Sequence, residues 1–192
     1  LRHRVTYGLL TGEAEQALED FRQGESIARK TGDTAGLGDM LVAGALVMRH
    51  LGRSDESLAY LEEARTCYRR AEDDGGLARS LYEHGMSLAL RGHFTDAARA
   101  LRQSEGLFRD NDQPLFAHES KRWRSTVHCF MRDFDQAEAL AQESLETARR
   151  FGAPLLEARS WNGLGEVARF RRGWQTAVDR YRRSIAIWSQ HG

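Results

Sequence analysis

The stretch "WNGLGEVARFRRGWQTAVDRYRRS", residues 161–184, contains the spacing that decides the fold. Small residues occupy positions 165 and 177, while bulky aromatic residues occupy positions 161 and 181. A similar order of small and bulky positions recurs at intervals of 40 residues through the chain. A fixed period of this length indicates a repeat architecture. The column that marks the period most clearly consists of Gly12, Gly52, Gly92, Arg132 and Arg172.

Each unit of 40 residues predicts two amphipathic helices joined by short turns. The apolar spacing is helical, as in Ala137, Leu140, Ala141, Leu145 and Ala148. The composition is rich in Ala, Leu, Glu and Arg and contains only two prolines, which favours long helices. A single hairpin cannot bury both apolar faces, whereas stacked hairpins cover one another. We therefore predict an all-α fold, a right-handed α-α superhelix of about five helical hairpins.

The repeat also predicts the domain organisation. We expect a single repeat domain over residues 1–192, and because the sequence begins with Leu1 instead of Met, we expect it to be a fragment of a longer chain. The predicted units are 1–33, in which the first helix is partial, 34–73, 74–113, 114–153 and 154–192.

The pattern resembles the tetratricopeptide repeat (TPR). Trp161, Leu164, Gly165, Ala177 and Tyr181 fall on the spacing of that family's signature. The 40-residue period is longer than the usual one and is similar to the helical arrays attached to large bacterial signalling ATPases, LuxR-type transcriptional activators and some kinases. The excess of arginine over lysine, 26 to 2, fits a bacterial origin with GC-rich codons.

Unit four departs from the family pattern. Lys121 and Arg124 stand where a tryptophan and a leucine are expected. A HEAT-like array, which has a similar period, is the alternative fold.

Catalytic and cofactor motifs are missing from the sequence. Neither Gly-Leu-Gly string, at residues 36–38 and 163–165, has the third glycine or the preceding strand of a dinucleotide loop. No phosphate-loop lysine motif, zinc-protease motif or serine-nucleophile motif occurs. We therefore expect no enzyme activity, no cofactor and no metal.

The localisation follows from the cysteines and from hydropathy. Cys67 and Cys129 lie 62 residues apart in helical patterns, which is typical of buried thiols in a reducing compartment. No apolar run reaches the length of a membrane span, and no signal peptide is evident. We expect a cytoplasmic protein without a membrane partner.

The resemblance implies a partner-binding groove, because the first helix of each TPR hairpin forms the concave wall. The groove is apolar near Leu46 and Tyr82 and rich in arginine near Arg122 and Arg159. The groove residues carried over by register are Asp39, Val42, Leu46, Arg49, Arg79, Tyr82, Met86, Glu119, Arg122, Thr126, Arg159, Asn162, Glu166 and Arg169.

These residues suit a protein or peptide partner with apolar anchors and acidic groups, which arginine binds through paired hydrogen bonds. We expect a protein-interaction scaffold or sensor module of a bacterial signalling or transcriptional regulator. Nucleic acid is disfavoured as the partner, because no aromatic side chains interleave with the arginines.

Two alternative functions stay open. Ile185, Ile187 and Trp188 in the last predicted helix have no following repeat to cover them, so either the parent chain continues or this face pairs with a second copy as a homodimer. A solenoid that senses a small ligand is the other alternative.

Overall fold

The computed structural model describes residues 2–191, and these fold into ten α-helices. Leu1 and Gly192, which the predicted domain boundaries include, lie outside the described residues. The prediction of an all-α fold is confirmed. The helices are α1 (Arg2–Thr11), α2 (Ala14–Thr31), α3 (Thr34–His50), α4 (Ser54–Arg70), α5 (Asp74–Leu90), α6 (Phe94–Asp110), α7 (Pro114–Phe130), α8 (Phe134–Arg150), α9 (Pro154–Phe170) and α10 (Trp174–His191).

Every turn between helices contains one residue with positive φ, and these residues recur every 20 positions. The helices α3 to α9 consequently all have the same length, 17 residues. The 40-residue column of the sequence is therefore one half of a 20-residue series. The series is Gly12, Gly32, Gly52, Glu72, Gly92, Asp112, Arg132, Gly152 and Arg172.

The turn after α3 shows why this position has positive φ. The Arg53 backbone N–H donates to the Met48 carbonyl at 2.8 Å, and the Gly52 N–H donates to the Arg49 carbonyl at 3.1 Å. This pattern of bonds ends a helix with a left-handed residue, here Gly52 with φ 74°. Glycine adopts that conformation without a steric penalty, whereas other residues are strained there.

Small residues bring the two helices of a hairpin together, as the spacing predicts. A Cβ atom on Gly165 would lie 2.5 Å from the ring of Tyr181. In two hairpins a serine hydroxyl bridges the same contact, because Ser57 donates to the Ala45 carbonyl at 2.8 Å and Ser125 donates to the Ala137 carbonyl at 2.7 Å. A larger side chain at these positions would force the helices apart.

The helices form two layers. Each odd-numbered helix contacts the next odd-numbered helix, from α1 through α9. Among the described residues the even-numbered helices meet one another only through side chains, as in the ion pair of Arg29 with Glu63 at 2.7 Å, and each packs closely against its odd-numbered neighbours. The odd-numbered helices therefore form the inner, more tightly packed layer of a right-handed solenoid, and the even-numbered helices form the outer layer.

Unit four accommodates its unusual residues with an ion cluster. Arg124 Nη1 lies 2.7 Å from Glu105 Oε2, and Lys121 Nζ lies 3.5 Å from Glu105 Oε1. The side chains of Arg124 and Glu105 are each only 14% exposed. In the next unit the same interface is apolar and includes Leu145 and Leu164. Unit four therefore keeps its stacking contact but uses charge in place of apolar side chains.

We expect Arg172→Gly and Glu72→Gly each to raise the free energy of unfolding by up to about 1 kcal/mol, because both residues have positive φ. Neither side chain forms an ion pair within residues 2–191. Gly92→Ala is the matched control and should lower stability by about 1 kcal/mol. Urea denaturation measures all three. Equal stability of the glycine variants and the parent would contradict the strain.

Candidate functional site

The inner layer presents the predicted groove residues. We call the surface formed by α1, α3, α5, α7 and α9, on the side away from the outer helices, the concave face. All fourteen predicted groove residues lie on these odd-numbered helices.

A pocket of about 220 Å³ lies at the N-terminal end of the concave face, between α1, α3 and α5. Four of the predicted residues, Asp39, Val42, Leu46 and Arg79, line it. Val42 is buried at 7% exposure, and Leu46 is half-buried, so the pocket has an apolar floor below a charged rim.

Asp39 organises the charges of this rim. Its Oδ2 accepts from Arg2 Nη1 at 3.1 Å, and its Oδ1 accepts from the Tyr68 hydroxyl at 2.9 Å. Arg79 Nη1 lies 3.5 Å from the same Oδ1. Burial, the negative charge of Asp39 and this hydrogen bond together raise the pKa of Tyr68, so its hydroxyl keeps its proton and remains a donor. Asp39 thus links three hairpins through two arginines.

A second ion pair connects α3 with α5. Arg49 Nη1 donates to Glu83 Oε2 at 2.8 Å, and both side chains are less than one quarter exposed. Arg49 was predicted as a groove residue, whereas Glu83 was not. The pair is well shielded from solvent, so it contributes more than an exposed pair would.

Tyr82 and Met86, on α5, form the apolar middle of the concave face, and both are half-buried. Tyr82 packs against the cluster that contains Leu101 and Val127. Burial, followed by the negative charge of Glu119, raises the pKa of Tyr82 to about 12. Its phenol is therefore neutral and offers an apolar ring with one polar tip.

Glu119 lies between two arginines. Arg122 Nε donates to Glu119 Oε2 at 3.1 Å, and Arg159 Nη1 donates to Glu119 Oε1 at 2.8 Å. We call these three residues the central triad. Burial by itself would raise the pKa of Glu119, but the two arginines outweigh it and hold the pKa below its usual value. The central triad keeps one net positive charge and has unused guanidinium donors.

The remaining predicted residues lie towards the C-terminal end. Arg169 Nη2 and the Tyr181 hydroxyl each donate to Glu166, both at 2.5 Å. Asn162 is exposed, and Thr126 uses its hydroxyl to donate to the Arg122 carbonyl at 3.4 Å. The structure therefore brings Glu166 and Arg169 together but leaves Asn162 apart from them.

All five predicted groove arginines lie within ion-pair distance of a carboxylate of this chain. An acidic group that approached these arginines would have to share them with Asp39, Glu83, Glu119 or Glu166. Arg159 and Arg169 have side chains almost half exposed, so their remaining donors can be reached from solvent.

Several residues of this surface were not predicted. Arg2, His3 and Thr6 line the N-terminal pocket from α1, and Trp123 lies under the Arg122 guanidinium at 5.1 Å. Glu83 is negatively charged and Arg49 is positively charged. This complementarity of charge was the one sequence signal that could have identified Glu83 as a residue of the concave face. The others became visible only when neighbouring hairpins were placed side by side.

The predicted self-association residues lie on α10. Ile185 is 65% exposed, Trp188 is 38% exposed and Ile187 is half-buried. The corresponding residue of the preceding unit, Leu145, is 1% exposed because α9 covers it. Within residues 2–191 α10 packs against α9, and its Arg180 also forms an ion pair with Glu138 of α8 at 2.6 Å.

The two cysteines are free and buried, as predicted. Burial, followed by the charge of Glu166, raises the pKa of the Cys129 thiol to about 11.

None of the described helices is long and apolar enough to cross a membrane. No three His, Cys, Asp or Glu side chains of the described part meet in an arrangement that could hold a metal ion.

Sequence comparison identifies a family. A model of the tetratricopeptide repeat matches residues 36–110 and 118–190, which is well over half of the chain. The match favours this repeat over a HEAT-like array. No curated protein sequence matches the chain.

Solved structures of low sequence identity share the fold. The chain is similar to the TPR-like repeats of a putative kinesin light chain from Podosopora anserina, with 14% identity, a TM-score of 0.79 and coverage of 98% of this chain and 93% of that one. A Rap protein complexed with competence and sporulation factor gives 16% identity and a TM-score of 0.80, with coverage of 97% of this chain and 53% of that one. A signal transduction ATPase with a tetratricopeptide repeat sensor from Pyrococcus horikoshii gives 18% identity and a TM-score of 0.79, with coverage of 97% of this chain and 29% of that one. At these identities the likeness shows the fold alone.

We expect Glu119→Gln to lower the free energy of unfolding at pH 7 by roughly 1 to 3 kcal/mol, because two charge-assisted bonds are weakened. Since the folded pKa of Glu119 is depressed, its contribution is present above the unfolded value of about 4.3 and is lost as the pH falls through the folded pKa. The difference between parent and variant should therefore shrink between pH 5 and pH 3. Urea denaturation at several pH values measures it, with the exposed Glu146→Gln as control. A difference independent of pH would contradict the central role of the carboxylate.

Proposed function

The chain belongs to the tetratricopeptide repeat family, and we propose that it is a protein-interaction module whose concave face binds an extended segment of another protein. The observation that carries the proposal is the inner layer itself. Its helices carry a pocket with an apolar floor, the half-buried Tyr82 and Met86, and the central triad.

The chemistry of that surface supports a segment with an apolar anchor and an acidic residue. The pocket floor at Val42 and Leu46 accepts an apolar side chain, while Arg122 and Arg159 keep unused donors for a carboxylate. Inner helices packed 8 to 10 Å apart would place the pocket and the central triad roughly 20 to 25 Å apart. An extended chain covers that distance in about seven residues.

We further propose that the module is part of a bacterial signalling or transcriptional regulator and acts in the cytoplasm. The Rap protein in complex with a sporulation factor and the signal transduction ATPase with a repeat sensor have the same fold. The excess of arginine over lysine also supports this origin. No enzyme activity is part of the proposal.

We expect peptides selected from a random display library to carry an apolar residue and an acidic residue about seven positions apart. Arg122→Gln with Arg159→Gln should weaken the selected peptides at least about tenfold, because charge-assisted bonds contribute 1.5 to 3 kcal/mol each. Fluorescence anisotropy measures the affinity. The control is Arg22→Glu with Arg102→Glu, on the outer helices α2 and α6, where both residues are exposed. If the control variant loses the same affinity, the concave face is not the binding surface.

Self-association is the second candidate function, and the exposure of Ile185 favours it. The equivalent Leu145 packs against a following helix, so the α10 face has the composition of a stacking surface. A second copy of the chain could cover it through the same face.

We expect a concentration-dependent dimer in light scattering, and Ile185→Asp should return the chain to a monomer, because it places a charge in the apolar contact. The matched control is Leu90→Asp, which changes an equally exposed apolar residue at the end of α5. A monomeric mass at every concentration would rule out the pairing.

A further inference from the structure

A second pocket, of about 180 Å³, lies between α6, α7 and α8. Because α6 and α8 belong to the outer layer, this pocket opens on the side of the solenoid opposite to the concave face. We call it the outer pocket. It lies between unit three and unit four, the unit whose sequence departs from the family pattern, and no step of the proposed function uses it.

The outer pocket exists because unit four lacks three large apolar side chains. In unit three the corresponding positions are all leucine, and Leu81 is only 4% exposed. In unit four the residues that line the pocket at these positions are smaller or polar. The pairs at 40-residue spacing are Leu77 and Ala117, Leu81 and Lys121, and Leu107 and Thr147.

The hydroxyl groups of the outer pocket present acceptors. Ser144 donates its hydrogen to the Leu140 carbonyl at 2.9 Å, and Thr147 donates to the Glu143 carbonyl at 2.8 Å. Each hydroxyl has one hydrogen, so both oxygens have only lone pairs left. A ligand in contact with them has to supply the hydrogen-bond donor.

His118 also lines the outer pocket, and its side chain is fully buried. Ser160 gives its hydrogen to the Leu156 carbonyl at 2.9 Å, so the 2.9 Å contact between Ser160 and His118 Nε2 requires the proton on Nε2. Burial lowers the pKa of His118, which keeps the ring neutral and leaves Nδ1 without a proton. Nδ1 is buried, has no partner within residues 2–191, and lies 3.9 Å from the nearest Glu119 oxygen.

The cationic side chains at the rim of the outer pocket differ in whether a carboxylate of this chain already pairs with them. Lys121 is held by Glu105 at 3.5 Å and by Glu143 at 2.9 Å, and Arg109 lies 3.3 Å from Asp110. Arg150, in contrast, forms no ion pair within the described part of the chain.

The Arg150 guanidinium lies 5.5 Å above the Phe151 ring, and Phe151, Pro114 and Ala117 supply the apolar walls. Arg150 is therefore the group of the outer pocket that is available to an anion.

We propose that the outer pocket binds a small organic acid that also carries a hydrogen-bond donor. The carboxylate pairs with Arg150, the apolar body packs against Phe151 and Pro114, and the donor bonds to the hydroxyl oxygen of Ser144 or Thr147. A cavity of about 150 Å³ holds a benzene ring, so the ligand is of that size.

Four probes test separately the negative charge, the apolar ring and the hydrogen-bond donor of the ligand. The compound 4-hydroxybenzoate carries all three groups. Benzoate lacks the donor, 4-hydroxybenzamide lacks the charge, and inorganic phosphate lacks the apolar ring. Binding is measured from the NMR shift of the His118 ring and from the rise in melting temperature on titration. We expect 4-hydroxybenzoate to bind with an affinity at least about tenfold above that of each other probe, since one charge-assisted bond contributes 1.5 to 3 kcal/mol.

Two variants test the location. Ala117→Leu with Thr147→Leu restores two leucines of unit three and fills the outer pocket, so binding should be lost while the fold is kept. Arg150→Gln leaves the pocket open and should weaken 4-hydroxybenzoate about tenfold without changing the response to the amide. The matched control is Arg149→Gln, the neighbouring residue, which pairs with Glu157 at 3.0 Å instead of lining the pocket.

The outcomes that overturn the proposal are distinct. Binding by the filled variant equal to that of the parent would place the ligand elsewhere, and equal binding of benzoate or phosphate would refute the ligand class. No response to any probe would refute the site. If the filled variant does not fold, the comparison of Arg150→Gln with Arg149→Gln decides the location by itself. None of these results depends on peptide binding at the concave face.

Discussion

A left-handed residue at every twentieth position is the constraint on which the rest of this structure depends. It ends the helices α3 to α9 at the same length, and equal helices keep equivalent residues on equivalent faces. A change of one residue in a helix would rotate every following side chain by about 100°. Units two to five retain the register even where Glu72, Asp112, Arg132 and Arg172 replace the favoured glycine, so the strained positions are tolerated because packing on both sides holds them.

The register sorts the side chains between two surfaces with different chemistry. On the concave face, arginines and carboxylates from neighbouring hairpins pair with each other, as Arg2 and Arg79 do with Asp39. Such pairs tie the hairpins together and also limit how strongly the face attracts a charged partner, because each carboxylate already neutralises part of the arginine charge. On the outer side, the same register leaves a space where unit four has Ala117 and Thr147 in place of leucine.

Much of the fold could be predicted because its signals are local and periodic. The contact of Gly165 with Tyr181 follows from one small and one bulky column, and the helix lengths follow from the spacing of turns. The candidate groove was predicted at the level of which helices carry it. Which residues pair within it was not, since Glu83 meets Arg49 across a hairpin boundary and Trp123 lies beneath Arg122 at a position outside the columns considered.

The sequence by itself determined the period, the helical class, the close contact within each hairpin and the set of residues on the inner helices, because these depend on spacing along one chain. The tertiary structure alone decided that Val42 is buried, that the groove arginines are already paired and that unit four encloses a cavity. The physical reason is that burial and ion pairing depend on distances between side chains of different hairpins. Those distances are set by the packing of whole helices.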